Sequence, residues 1–185
     1  MKILLLSFTL QNNMFPLGLN YIKNYAKKHH PNTNIQIKEF TFGNKSGYET
    51  NKNIELQALS YIKLNNPDIV AFSCYIWNFE MTKDFARAIK LINNNIKIIV
   101  GGVEISSNLV TKEIDYFISG EGEIAFSNII SHLKQEIPIE EVNNVIYYNN
   151  KTNQLVENKK EFINNLDTIP FPYELTNNNS HQSNQ

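Results

Sequence analysis

Apolar residues along this chain follow two rhythms that alternate up to about residue 136. Short unbroken runs, Lys2 to Phe8, Asp68 to Ser73, Ile96 to Val100 and Ile114 to Ile118, have no polar face, as strands covered on both sides of a parallel sheet require. Ile35 to Phe40 alternates and predicts another strand. Between the strands, apolar positions recur at helical spacing. Tyr21, Ile22, Tyr25 and Ala26 predict a helix from Leu17 to about His30, which Pro31 closes, and Ile54, Ala58, Leu59 and Ile62 predict a second, closed by Pro67. Phe85, Ile89 and Ile92 mark a third from about Asn78 to Asn94. A fourth, with Ile124, Phe126, Ile129, Ile130 and Leu133, starts at the turn Glu121-Gly122-Glu123, where acidic side chains suit the helix dipole. Such alternation predicts an α/β fold: a doubly wound, parallel five-stranded sheet of the Rossmann-like or flavodoxin-like kind, in order 2-1-3-4-5.

The rhythm then changes. Asn143 to Tyr148 and Gln154 to Lys159, joined by residues 149–153, predict a C-terminal β-hairpin. Pro170 and Pro172 favour an extended segment from Leu166 to Pro172, and the polar stretch from Thr176 to Gln185 has no periodicity and predicts disorder. The expected division is an α/β domain over 1–140, a hairpin appendage over 141–165, and a linker and tail over 166–185.

At 185 residues the chain suits one domain that buries on the order of 70% of its unfolded surface. A charged fraction of 19% and a net charge of -1 point neither to nucleic acid nor to an anionic membrane. The apolar run Ile3 to Leu6 is too short for a signal peptide or a membrane span, so a cytoplasmic location is expected. Cys74 is the only cysteine, which excludes an internal disulfide and any cluster held by several thiolates of this chain.

In an open α/β sheet, ligands settle outside the carboxyl ends of the strands, where strand order reverses. Four loops follow predicted strands there: Asn13 to Gly18, Ser73-Cys74-Tyr75, Gly101-Gly102-Val103-Glu104 and Gly120-Glu121-Gly122-Glu123. No G-x-x-x-x-G-K-S/T occurs, and Gly120-Glu121-Gly122 is only a fragment of a dinucleotide fingerprint, with carboxylates where a pyrophosphate would lie. A phospho-receiver would need acidic residues where Ser7, Phe8 and Ser73 stand. Gly101-Gly102 permits close approach of a large ligand, although a tight strand-to-helix turn would use glycine as readily. The Ser73 hydroxyl can donate to a ligand or cap a turn. Cys74 reads as an inert small hydrophobe, and His29, His30, His132 and His181 read as solvent-facing.

Taken in order, these segments resemble the N-terminal cobalamin-binding domain of cobalamin-dependent radical SAM enzymes, and most of all that of the anaerobic magnesium-protoporphyrin IX monomethyl ester cyclases. The resemblance runs through Pro16 to Ile22, Asp68 to Ser73, Ile99 to Gly102, Asp115 to Glu123, the hairpin, and Leu166-Asp167 through Pro172. The wider cobalamin fold uses D-x-H-x-x-G, S-x-L and Gly-Gly loops. Ser73-Cys74-Tyr75 matches the second with Tyr75 for Leu, and Gly101-Gly102 matches the third. The first departs, because anchoring its glycine on Gly18 puts Asn13 at the Asp position and Phe15 at the His position, and Phe15 cannot ligate cobalt.

The resemblance implies cobalamin bound base-off without a histidine ligand, with Gln11 or Asn12 near the lower cobalt face. It implies a nucleotide tail running between strands one and three, past Ser73 and Gly101-Gly102, where a bulky Gly102 variant would block binding at modest cost to the fold. Gln11, Asn12, Asn13, Phe15, Gly18, Ser73, Cys74, Tyr75, Gly101, Gly102, Val103, Glu104, Gly120, Glu121 and Gly122 are the implied cofactor residues. Relatives carry a downstream barrel whose three cysteines hold a 4Fe-4S cluster that cleaves SAM. With one cysteine, this chain is expected to be the cofactor module alone of an oxidative-cyclase-like or cobalamin-dependent methyltransferase-like parent, partnered by that barrel and not catalytic by itself. A degenerate docking domain of the same fold, or a flavodoxin-like domain with another cofactor, are the alternatives.

Overall fold

The structure, a computed structural model, describes residues 1–9, 15–42 and 48–173. Among these residues four α-helices and seven strands follow one another as β1 (Lys2–Thr9), α1 (Leu17–His29), β2 (Asn34–Thr41), α2 (Tyr48–Asn65), β3 (Ile69–Ser73), α3 (Phe79–Ile92), β4 (Lys97–Gly102), β5 (Tyr116–Ser119), α4 (Glu123–Leu133), β6 (Val145–Asn149) and β7 (Gln154–Glu157). They form one sheet in the order β2-β1-β3-β4-β5-β6-β7, with β1 to β5 parallel and the last two strands antiparallel.

The sheet therefore has seven strands, not five. Val145 and Ile146 are fully buried and pair with Ile118 and Phe117 of β5, so the hairpin extends the sheet. An uncovered β5 would leave a row of unpaired backbone groups beside a buried apolar strand, and the hairpin supplies their partners. The segment after it also differs from expectation. Leu166–Thr168 forms a single 3-10 turn, because the Asn165 side chain accepts from Asp167 N at 2.9 Å before the prolines begin. The tail from Thr176 lies outside the described residues.

Alternation along the buried strands builds two cores. Leu4, Leu6, Val70, Phe72, Ile98, Val100 and Phe117 meet α2 and α3 on one face, and Ile3, Leu5, Ile69, Ala71, Ile99 and Ile118 meet α1 and α4 on the other. Ile3 through Leu6 are wholly inaccessible, and each such side chain contributes about 1.5–3 kcal/mol of burial. Asn66, at φ 40°, and Gln135, at φ 64°, take the left-handed conformation just past α2 and α4, which turns the chain out of each helix.

Polar groups at the amino-terminal end of the strands are closely matched. Asp115 accepts from Lys90 Nζ at 2.7 Å, Lys97 Nζ at 3.1 Å and Ile98 N at 2.8 Å. His30 corrects the reading of solvent-facing histidines, being only 6% exposed. Its Nε2 lies 2.9 Å from the Ser127 carbonyl, which can only accept, so Nε2 carries the proton and Nδ1 accepts from Lys134 Nζ at 3.1 Å. That bridge ties the carboxyl end of α1 to α4. His132 is partly buried beside the Ile137 carbonyl, and His181 lies outside the described residues.

Candidate functional site

At the opposite end, the carboxyl ends of β1, β3, β4 and β5 and the amino-terminal turns of α1 and α4 enclose a groove of about 560 Å³. This volume suits a cofactor-sized ligand, for which pockets of roughly 300–1,000 Å³ are usual. Leu5, Ala71, Ile99, Ile118 and Phe126 make its apolar floor and back wall. Ala71 is the small residue on a face otherwise paved with Ile and Leu, and the missing side-chain volume deepens the groove. Gly18 opens α1 without a side chain, and a Cβ placed there would meet nothing within 4 Å. Gly120, at φ +100°, is similarly open and turns the chain from β5 toward α4 in a conformation that only glycine adopts freely.

Of the residues expected from the sequence, Gly18, Ser73, Tyr75, Gly101, Gly102, Val103, Gly120, Glu121 and Gly122 line this one groove. Others do not. Cys74 points to the other face, 1% exposed in the α2/α3 core, and burial pushes its thiol up to about 11, so it is an inert hydrophobe as its sequence context suggested. Glu104 is exposed on the loop beyond the rim, and the Phe15 ring stacks on Tyr173 at 4.7 Å away from the lining. Gln11, Asn12 and Asn13 lie outside the described residues. Glu123, in the fourth predicted loop, also lines the groove, and the sequence reading missed Leu5, Leu19, Ile22, Ala71, Phe72, Ile99, Ile118, Phe126 and Phe162 as lining residues. Strand alternation could have found the floor positions, since Leu5, Ala71, Ile99 and Ile118 share one sheet face.

The two adjacent glycines turn out to serve different ends. A Cβ at Gly102 would lie 1.8 Å from the Cys74 carbonyl oxygen, so the backbone itself requires glycine there and a side chain would disturb the fold. A Cβ at Gly101 would meet only Ile118 Cβ at an ordinary 3.6 Å. The β3 loop is fixed from within: Asn78, 1% exposed, accepts from Tyr75 N at 2.7 Å and donates to the Ser73 carbonyl at 3.3 Å. Above that loop, Tyr75 and Trp77 lie parallel with centroids 6.3 Å apart, and each is about half exposed at the rim. Among the described residues no three His, Cys, Asp or Glu side chains converge as a metal centre, and no helix is long and apolar enough to cross a membrane.

The model of the B12 binding domain matches residues 3–130, from β1 into α4, and thus spans all four loops of the groove. The chain belongs to the B12-binding domain family. It is a cobalamin-binding domain homologous to those of cobalamin-dependent radical SAM methyltransferases. The cobalamin-dependent radical SAM methyltransferase TokK of Streptomyces tokunonensis is 28% identical over 114 residues, covering 59% of this chain and 17% of TokK. An uncharacterized methyltransferase, PH0819, of Pyrococcus horikoshii is 27% identical over 170 residues, covering 86% of this chain and 34% of that protein. This B12-binding domain thus spans about a third or less of the curated relatives it matches. Among solved structures, the cobalamin-dependent S-adenosylmethionine radical enzyme OxsB with aqua-cobalamin bound shares the fold with a TM-score of 0.70 at 16% identity, over 91% of this chain and 23% of that one. The radical S-adenosylmethionine methyltransferase TsrM from Kitasatospora setae, with cobalamin and a 4Fe-4S cluster bound, gives 0.60 at 14% identity, over 88% of this chain and 30% of that one.

Proposed function

We propose that this domain is the cobalamin module of a radical SAM enzyme and that it holds the corrinoid base-off, with no protein histidine on cobalt. The observation that carries the reading is the groove itself: an apolar trough between α1 and α4, edged by Gly18, Gly101 and Gly120, that no side chain of the described residues fills. Its floor of Leu5, Ala71, Ile99 and Ile118 suits a flat heterocyclic base, and Ser73 at its edge offers a hydroxyl to the polar part of a nucleotide tail. The tail would run between β1 and β3, past Ser73 and Gly101-Gly102. Bound cobalamin supplies a cobalt centre able to carry a methyl group; the residues of this chain bind, orient and exclude water.

Among the described residues, the absence of a histidine ligand is supported by position. Phe15 takes the place of the ligand in the first loop, while His29, His30 and His132 lie at the carboxyl ends of α1 and α4, at the far end of the sheet. By sequence position alone, Gln11 or Asn12 would be the polar residue offered to the lower cobalt face. The 4Fe-4S cluster and SAM belong to a barrel following the linker in the parent enzyme. Of the two parent reactions that the sequence resemblance allows, the methyltransferases among the curated relatives favour methyl transfer over oxidative cyclisation.

Mixing the purified chain with hydroxocobalamin, followed by gel filtration and visible spectroscopy, tests this reading. Retained corrinoid with a base-off spectrum is the expected result. A spectrum of histidine-ligated cobalt overturns the histidine-free proposal, and loss of all corrinoid on the column overturns the module reading.

A further inference from the structure

The family match ends at residue 130, yet the groove has a wall from much later in the chain: Phe162 lines it beside Glu121 and Val103. Phe162 is 80% exposed, so among the described residues its ring is left largely uncovered at the groove's edge. Its backbone, in contrast, is fixed. The Glu121 carboxylate, at the rim of the groove, accepts from Ile163 N at 2.6 Å.

From there the segment 160–173 crosses the α1/α4 side. Lys28 Nζ donates to the Thr168 carbonyl at 3.2 Å, Asn24 Nδ2 donates to the Phe171 carbonyl at 3.0 Å, and Tyr173 stacks on Phe15 beside the start of α1. These anchors return the chain to the end of the sheet at which it left β5. Between the segment and the two helices lies a second cavity of about 510 Å³, which shares Glu121 and Glu123 with the groove. Beyond Glu161, which Asn144 clamps through its N–H and carbonyl, the segment has one 3-10 turn and no ladder hydrogen bonds and is held by a few side-chain contacts, so it opens at low free-energy cost. Contact with a groove occupant at Phe162 is therefore enough to bias it.

We infer that Phe162 is a cofactor-contacting residue that closes the outer side of the groove, positioned by Glu121 through the Ile163 N–H, so that cobalamin binding and fixing of segment 160–173 reinforce each other. The inference rests on the cobalamin-module reading and adds a binding residue from outside the family region. Reciprocity follows from linkage: a segment ordered by the ligand must tighten that ligand by the same factor.

The test is a visible-absorbance titration of the 185-residue chain with hydroxocobalamin, alongside trypsin cleavage after Lys160. Phe162→Ala is expected to weaken binding about tenfold, the effect of losing one buried aromatic contact. It should leave the unfolding midpoint of the ligand-free protein unchanged, because the exposed ring supports no core. Phe162→Leu recovers part of the affinity. Cobalamin should slow cleavage after Lys160 in the wild type and not in Phe162→Ala. Glu121→Ala should lose this protection too, and Glu121→Gln, whose carboxamide oxygen still accepts from Ile163 N, should restore it. Wild-type binding with unchanged affinity in Phe162→Ala overturns the Phe162 assignment alone. A wild type that retains no cobalamin overturns it together with the module reading.

Discussion

At the amino-terminal ends of the strands, polar groups find partners within the chain; at the carboxyl ends, apolar groups are left without them. Asp115 gathers two lysines and a backbone N–H, and His30 is bonded through both ring nitrogens. The other end exposes Tyr75, Ile76, Trp77, Val103 and Phe162 around a trough edged by glycines. A lone exposed apolar residue is ordinary, but several around one concavity mark a place that another molecule completes. One end of the sheet thus secures the fold, and the other leaves the groove open.

The largest effect that separates the two ends is expected from Asp115→Ala. It leaves the Lys90 ammonium with the Ile96 carbonyl but no counter-charge, and the Ile98 N–H without this acceptor, in a largely buried position, and should cost about 3 kcal/mol of stability in urea unfolding. Cobalamin affinity measured under folding conditions should not change. Gly18→Leu should do the reverse. A Cβ there meets no described atom within 4 Å, and the residue improves helix propensity by up to about 0.8 kcal/mol, while its side chain, at a groove-lining position, should lower cobalamin affinity at least about tenfold. A variant that lost stability and kept affinity would show that the groove is not the binding site.

The smallest effect is pH-dependent. Burial, followed by the Lys134 ammonium and the neighbouring His29, holds the pKa of His30 below its ordinary 6.5, against the opposing pull of the Ser127 carbonyl and Glu136. The folded state therefore prefers neutral His30, and the unfolded state takes up more protons as pH falls through 6.5. The contribution is complete above that pH and is lost below it. Urea midpoints between pH 7.5 and 5.5 should fall more for the wild type than for His30→Gln, and equal slopes would remove His30 from the account.

Much of this was legible in the sequence because burial on two faces writes unbroken apolar runs, and Pro31 and Pro67 punctuate α1 and α2 at the chain level. The order of β1 to β5 followed from those runs and from the handedness of parallel crossovers. What escaped depends on contacts between distant residues. Nothing local distinguishes a hairpin that hangs free from one that pairs with β5, or the buried His30 from the exposed end of a helix. The site was half visible for the same reason. Loop glycines announce themselves, whereas Ala71 matters only because of its neighbours on adjoining strands, and Phe162 only because Glu121 holds the next residue in place. Gly102 shows the reverse case, a glycine whose position suggested a ligand but whose nearest constraint is the Cys74 carbonyl.

The buried Cys74 has a practical use. With its thiol enclosed and its pKa raised to about 11, it remains almost wholly protonated and shielded at neutral pH, where maleimides react with exposed thiolates. A single cysteine introduced on the surface would be the one labelled position in an otherwise silent protein. A fluorophore placed that way on the Lys159–Tyr173 stretch could report its movement in real time, without first removing a native thiol.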